Sequence, residues 1–94
     1  MGEVLFRGED SNSNTQNFSK LRSTITTVTD GSEGGKFEVF VASHNGSEVA
    51  GLTIEDGNAS GELDVSIAAG ASSVTTVAGD LTVSGGDING PIRS

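Results

Sequence analysis

Lys36-Phe37-Glu38-Val39-Phe40-Val41-Ala42-Ser43, then His44-Asn45-Gly46-Ser47, then Glu48-Val49-Ala50-Gly51-Leu52-Thr53-Ile54-Glu55 is the stretch that decides the fold. In its first arm Phe37, Val39 and Val41 alternate with Glu38, Phe40 and Ala42, the two-residue period of a strand. Both alternating sets are largely apolar, so this arm is expected to be the best buried element. Asn45-Gly46 offers the positive φ that a tight hairpin turn needs. The return arm places Val49, Gly51 and Thr53 on one side and Ala50, Leu52 and Ile54 on the other, and Asp56-Gly57 closes it. A β-hairpin over 36–55 follows.

The same period extends upstream. Glu3-Val4-Leu5-Phe6-Arg7 reads as a strand closed by Gly8, and residues 9–17, polar throughout, read as a loop. Over 18–29 two patterns compete. Phe18, Leu21, Ile25 and Val28 fall at helical spacing, but residues 24–29 are six consecutive β-branched side chains, which are stiff at χ1 and disfavour a helix. A strand with Leu21, Ser23, Ile25 and Thr27 on one face is the preferred reading. Asp30-Gly31-Ser32-Glu33-Gly34-Gly35 is a dense turn that feeds the central hairpin.

Downstream the character changes. Gly61-Glu62-Leu63-Asp64-Val65-Ser66 recurs as Gly79-Asp80-Leu81-Thr82-Val83-Ser84, with small and β-branched residues between the copies. A short internal period of thin strands is the pattern of a β-solenoid or triple β-helix. The end, Gly85-Gly86-Asp87-Ile88-Asn89-Gly90-Pro91, is unsuited to a regular central strand. The chain therefore divides into a β-hairpin fibre domain over 1–60, with a polar loop at 8–17, and a short-strand, shaft-like segment over 61–94.

Composition limits what this chain can do alone. Of 94 residues 33% are apolar, against about 45–50% in a typical globular domain. The aromatics are four Phe, and Cys is absent, which excludes disulfides and thiolate chemistry. Small scaffolds that lack core material and disulfides are rescued by metals or by oligomerisation. Oligomerisation is the expectation here. A net charge of −8 repels phosphate backbones and anionic lipid, which argues against nucleic-acid partners. No apolar run approaches the roughly 18 residues of a membrane helix, so no membrane insertion is expected, and the opening residues do not read as a signal peptide.

Sites of chemistry are sparse. His44, the single histidine, lies beside the Asn45-Gly46 turn with no nucleophile or acid spaced to partner it, and reads as an exposed turn residue. No G-x-S-x-G elbow occurs. Asp30 with Glu33, and Asp56 with Asn58, carry oxygen ligands suited to Ca²⁺, but neither pair matches an EF-hand or a Gly-Asp nonapeptide, and both read as solvated turns. The absence of Trp and Tyr disfavours a sugar-processing cleft. Three N-x-[ST] sequons begin at Asn17, Asn45 and Asn58, as chance allows in a chain this rich in Asn and Ser. No catalytic, cofactor-binding or metal residue is assigned, and no enzyme activity is expected.

Several elements in order resemble a segment common in tail-fibre and other virion proteins of tailed bacteriophages, especially marine and cyanobacterial ones. These are Phe6-Arg7-Gly8-Glu9-Asp10-Ser11, Asn17-Phe18-Ser19, Asp30-Gly31-Ser32-Glu33-Gly34-Gly35 and Leu52-Thr53-Ile54. Gly79-Asp80-Leu81-Thr82-Val83-Ser84-Gly85 is similar to the units that such fibres string into shafts. The resemblance covers most of residues 3–86. It implies an elongated, intertwined homotrimer of β-hairpins leading into a triple-β-helix or β-prism-like shaft. It implies a virion appendage outside the cell, with other virion proteins and a host-surface receptor as partners. It carries over no site residues. The chain lacks the bulky head of a receptor-binding protein, and a fragment of a bacterial extracellular adhesin or β-solenoid is the second reading. The expected axis or core residues are Val4, Phe6, Leu21, Ile25, Phe37, Val39, Val41, Leu52, Ile54, Leu63, Val65, Ile67, Val74, Val77, Leu81 and Val83. Polar loops 9–17 and 43–47 are the expected places of host contact.

Overall fold

The computed structural model describes residues 1–86, 88 and 89. Five strands follow one another: β1 (Gly2–Glu9), β2 (Thr15–Thr27), β3 (Gly34–Ala42), β4 (Glu48–Asp56) and β5 (Leu63–Ile67). They form one antiparallel sheet in the order β1-β2-β3-β4-β5, a meander in which each strand pairs with its sequence neighbour. The protein is all-β, and no helix forms among the described residues. In the strand expected over 18–29, the β-branched run prevails over the helical spacing as far as Thr27, and Val28 and Thr29 lie outside β2.

The sheet lies open. Among the described residues none is buried, and the molecule exposes 7596 Å², against about 5,000 Å² for a compact protein of this mass. The radius of gyration is 16.9 Å, where a compact chain of this length has about 12–13 Å. The expectation that β3 would be the best buried element fails for that reason. Its side chains alternate between two uncovered faces, and Phe37 and Val41 are exposed.

Two hairpin loops share one construction. Asp10 N–H bonds to Asn14 O at 2.9 Å and Ser13 N–H to Asp10 O at 3.0 Å; Ser43 N–H bonds to Ser47 O at 2.7 Å and Gly46 N–H to Ser43 O at 2.8 Å. In both, the fourth residue takes positive φ, 63° at Ser13 and 85° at Gly46. This is a three-residue hairpin connection, which needs one residue in the left-handed region, and glycine adopts it freely. Asp10 supplies what the first loop lacks in glycine: its carboxylate accepts the N–H groups of Asn12 and Asn14, each at 2.9 Å. The polar loop expected over 8–17 is thereby shortened to 10–14. Gly8, Glu9, Thr15, Gln16 and Asn17 are all paired in the ladder, and Arg7 Nε donates to Asn17 Oδ1 at 2.8 Å.

The loops set the register, and single-residue bulges then correct it. The 43–47 loop imposes Val41↔Val49 and Phe40↔Ala50. Continued strictly, that register would put Leu52 beside Glu38. Instead Gly51 is left unpaired, Val39 meets Leu52, and Phe37 meets Ile54. Val49 consequently shares a face with Leu52 and Ile54, which corrects the strict alternation expected for 48–55. The β1–β2 hairpin repeats the device. The 10–14 loop imposes Arg7↔Asn17, and an unpaired Phe18 lets Phe6 meet Ser19 and Val4 meet Leu21. Without it, Lys20 would lie opposite Val4. A one-residue slip moves a whole strand's side chains to the other face, so each bulge decides which face is apolar.

β5 comes from the first copy of the 18-residue repeat and adds to the edge at β4, so the sheet continues across residue 60. The second copy, at 79–84, forms no strand, and the described residues after β5 are irregular and, Ala68 apart, exposed. Of the run 85–91, Asp87, Gly90 and Pro91 lie outside the described residues.

Two outcomes test this account of register. Gly51→Ala, whose added Cβ meets nothing within 4 Å, should shift stability by no more than about 1 kcal/mol, whereas deleting Gly51 should abolish the β3–β4 ladder in amide hydrogen exchange. Ser13→Gly should raise the denaturation midpoint, by about 1 kcal/mol of relieved left-handed strain.

Candidate functional site

Because paired residues of an antiparallel ladder project to the same side, the register sorts every strand residue onto one of two faces. One face carries, row by row, Val4, Leu21, Val39, Leu52 and Ile67, then Phe37, Ile54 and Val65, then Phe6, Val41 and Val49, with Ile25 and Leu63 toward the far end. All twelve strand residues expected to line an axis fall on this face. The remaining four, Val74, Val77, Leu81 and Val83, lie in the irregular segment and are exposed. Of the face residues Val4 is 53% exposed, Phe6 49%, Val41 55% and Val65 54%. Isolated monomers rarely leave contiguous apolar patches of more than a few hundred Å² open.

The opposite face is a charge ladder. By register, of the eleven charged residues in the strands, ten lie here: Glu3, Arg7, Glu9, Lys20, Arg22, Lys36, Glu38, Glu48, Glu55 and Asp64. The eleventh, Asp56, ends β4, and its carboxylate accepts the Thr26 hydroxyl at 2.7 Å. That bond reaches over β3 at Gly34, where an added Cβ would sit 2.5 Å from Asp56 Oδ2 and 2.7 Å from Thr26 Oγ1, so only glycine leaves room. On the charged face Arg22 pairs with Glu3 at 2.7 Å, Lys20 with Glu48 at 3.5 Å and Lys36 with Glu38 at 3.9 Å. Phe40 lies among them, with Lys20 Nζ 4.6 Å and Arg22 Cζ 4.9 Å from its ring centroid. Two cations over one ring are attracted by its negative π face. The sequence reading missed this platform; its signal is the pairing of Lys20 with Phe40, which only the register supplies.

The topology puts loops 10–14 and 43–47 at one end of the sheet and the 28–33 and 57–62 connections at the other. Between the latter two a shallow depression of about 750 Å³ adjoins the apolar face, lined by Ser23, Phe37, Ile54 and Leu63 and also by Glu33 and Glu62. Around it the backbone N–H of Asn58 donates to Glu62 Oε1 at 2.9 Å. Asp64 is pushed above the ordinary carboxylate range, first by its hydrogen bond with Glu62 and then by repulsion from Glu62, Glu55 and Asp56. Asp10 moves the other way, held below that range by the N–H groups of Asn14 and Asn12. Glu3 is lowered by its bond to Arg22.

His44 is exposed in the 43–47 loop. Asp30 and Glu33 lie in an exposed connection, and Asp56 is engaged by Thr26 rather than gathered with Asn58 around a common centre. Among the described residues no group of three or more His, Asp or Glu side chains is placed to hold a metal ion. Asn17 and Asn45 are committed to hydrogen bonds, Asn45 Oδ1 accepting from Ser43 Oγ and Ser47 N–H. No described helix is long and apolar enough to cross a membrane. In comparisons with known proteins the chain matches no family model, no curated protein and no solved structure.

The two carboxylates give opposite pH dependence. Asp10, lowered, contributes stability present above its unfolded value and lost as pH falls through its folded one; Asp64, raised, contributes stability present below its unfolded value and lost as pH rises through its folded one. In a carboxyl-detected NMR titration Asp10 should therefore titrate below, and Asp64 above, an ordinary Asp, and Glu62→Gln should bring Asp64 back down. An unmoved Asp64 midpoint in that variant would contradict the assignment.

Proposed function

We propose that this chain is a non-enzymatic structural module of a phage tail fibre or similar virion appendage, working as a homotrimer whose stiffness supports host attachment. The observation that carries the reading is the absence of any buried residue in a sheet that nonetheless collects its apolar side chains on one face. A single layer has no interior, and sheets of globular domains gain stability by packing that face on a second layer. Among the described residues the chain supplies no second layer of its own. Further copies can supply it, and in a closed threefold ring each copy repeats one and the same contact with the next. The ordered motifs that resemble tail-fibre segments, from Phe6-Arg7-Gly8 to the Leu81-Thr82-Val83 unit, support the same role.

In this reading the trimer is an intertwined arrangement of β-hairpins, and the segment over 61–94 leads into a triple-β-helix or prism-like shaft. The function is mechanical, holding a recognition element at a distance from the particle. Loops 10–14 and 43–47, grouped at one end, are the parts that meet other virion proteins or a receptor.

Light scattering on the purified chain should give a mass near three times 9.5 kDa, and the unfolding midpoint should rise with protein concentration, as it does when folding and assembly are coupled. A stably folded 9.5 kDa particle in dilute, metal-free buffer would refute the proposal. A monomer that folds only when Ca²⁺ is added would favour the adhesin alternative.

A further inference from the structure

We infer that the apolar face is the surface through which copies of this chain pack on one another, sheet against sheet, while the charged face with Phe40 stays turned to solvent. The inference rests on the multi-copy reading above and assigns its interface.

Three observations commit the face to a second copy. The first is area. Nine of its residues, Val4, Phe6, Ile25, Phe37, Val41, Val49, Leu63, Val65 and Ile67, are between 37% and 67% exposed. Together they present on the order of 800 Å² of side-chain surface, comparable to what each partner buries in a stable interface. The second is charge. A chain of net charge −8 repels its own copies, and like charges brought together across an interface are costly. This face removes that obstacle: ten of the eleven strand charges lie on the other side, and Asp56 sits at the strand end, bonded to Thr26. The third is shape. Phe18 and Gly51 are left unpaired where strict pairing would turn Leu21 and Leu52 toward the polar side. Both bulges keep one continuous apolar surface across the sheet, so that a single face of each copy can be covered by the others. The charged face offers a partner little, because Lys20, Arg22 and Lys36 already pair with Glu48, Glu3 and Glu38, Lys20 and Arg22 lie over Phe40, and Arg7 donates to Asn17.

The native chain has no cysteine, so single introduced thiols report cleanly. Val65 and Ser66 are neighbours on β5, both exposed within one chain, and point to opposite faces. With the mass measured in parallel, V65C should react with a maleimide at least tenfold more slowly than S66C in the assembled protein, and denaturant should erase the difference. V39D should lose the assembled mass, since an unpaired carboxylate within an interface is expensive, whereas T53D, on the charged face, should keep it. If a trimer forms but V65C and S66C react equally fast, or V39D assembles unchanged, the interface lies elsewhere and the multi-copy reading survives. A monomeric wild-type chain with both thiols open would overturn the two together.

Discussion

The hydrophobic effect acts on this chain through one unsatisfied demand: an amphipathic layer needs something against its apolar side. Everything else in the molecule is arranged around that demand. Alternation along each strand separates apolar from polar residues, antiparallel pairing aligns the separated sets across strands, and the outcome is a sheet about as two-sided as its residues permit. What it lacks is depth. With each strand bonded only to its sequence neighbours, the meander spreads laterally and never folds back to cover itself. Backbone hydrogen bonding holds such a layer together, but isolated sheets owe their durability to the face they bury.

The bulges show how the two faces are kept distinct. A three-residue hairpin loop locks the register from its own end, and both such loops would lock it wrongly for the far half of the strands. Leaving out of the ladder Phe18 in one hairpin and Gly51 in the other shifts the remainder by one residue. Lys20 then falls beside Leu5 rather than beside Val4, and Leu52 falls beside Val39 rather than beside Glu38. Turn chemistry and face segregation thus make conflicting requests, and the bulge is the local compromise. The Phe40 platform depends on neither bulge: the β2–β3 ladder sets Lys20 opposite Phe40 and Arg22 opposite Glu38, which brings both cations to the ring.

Much of this was legible from residue order. The β-branched run at 24–29 overrode the helical spacing of Phe18, Leu21 and Ile25, and the Asn45-Gly46 and Asp30-Gly31 turns fall where strands end. The twelve strand residues chosen for an axis all share one face. The illegible parts depend on pairing. Gly51 is visible as a glycine in a strand, a known mark of a bulge, but that it realigns Val49 with Leu52 follows only once the 43–47 loop has set its end of the ladder. Asp10's capture of two N–H groups shortened a loop whose polar composition suggested a longer one. The Phe40 platform needed Lys20 placed opposite it from another strand. No alternation within 36–43 could reveal that.

The repeat at 61–66 and 79–84 sharpens the meaning of the open sheet. Leu63-Asp64-Val65-Ser66 forms a strand because β4 offers it an edge, with Ile54 opposite Val65 and Glu55 opposite Asp64. Leu81-Thr82-Val83-Ser84 has the same alternation and is extended in no ladder. The difference between the two copies is therefore one of context, not of intrinsic preference: strand propensity reflects fit to a pleated, half-buried neighbour more than a property of the backbone alone. A sequence unit that becomes a strand only beside another strand is suited to a fold completed between chains. The free edge of β5 and the uncovered apolar face are two forms of one incompleteness, and additional copies of the same sheet can satisfy both.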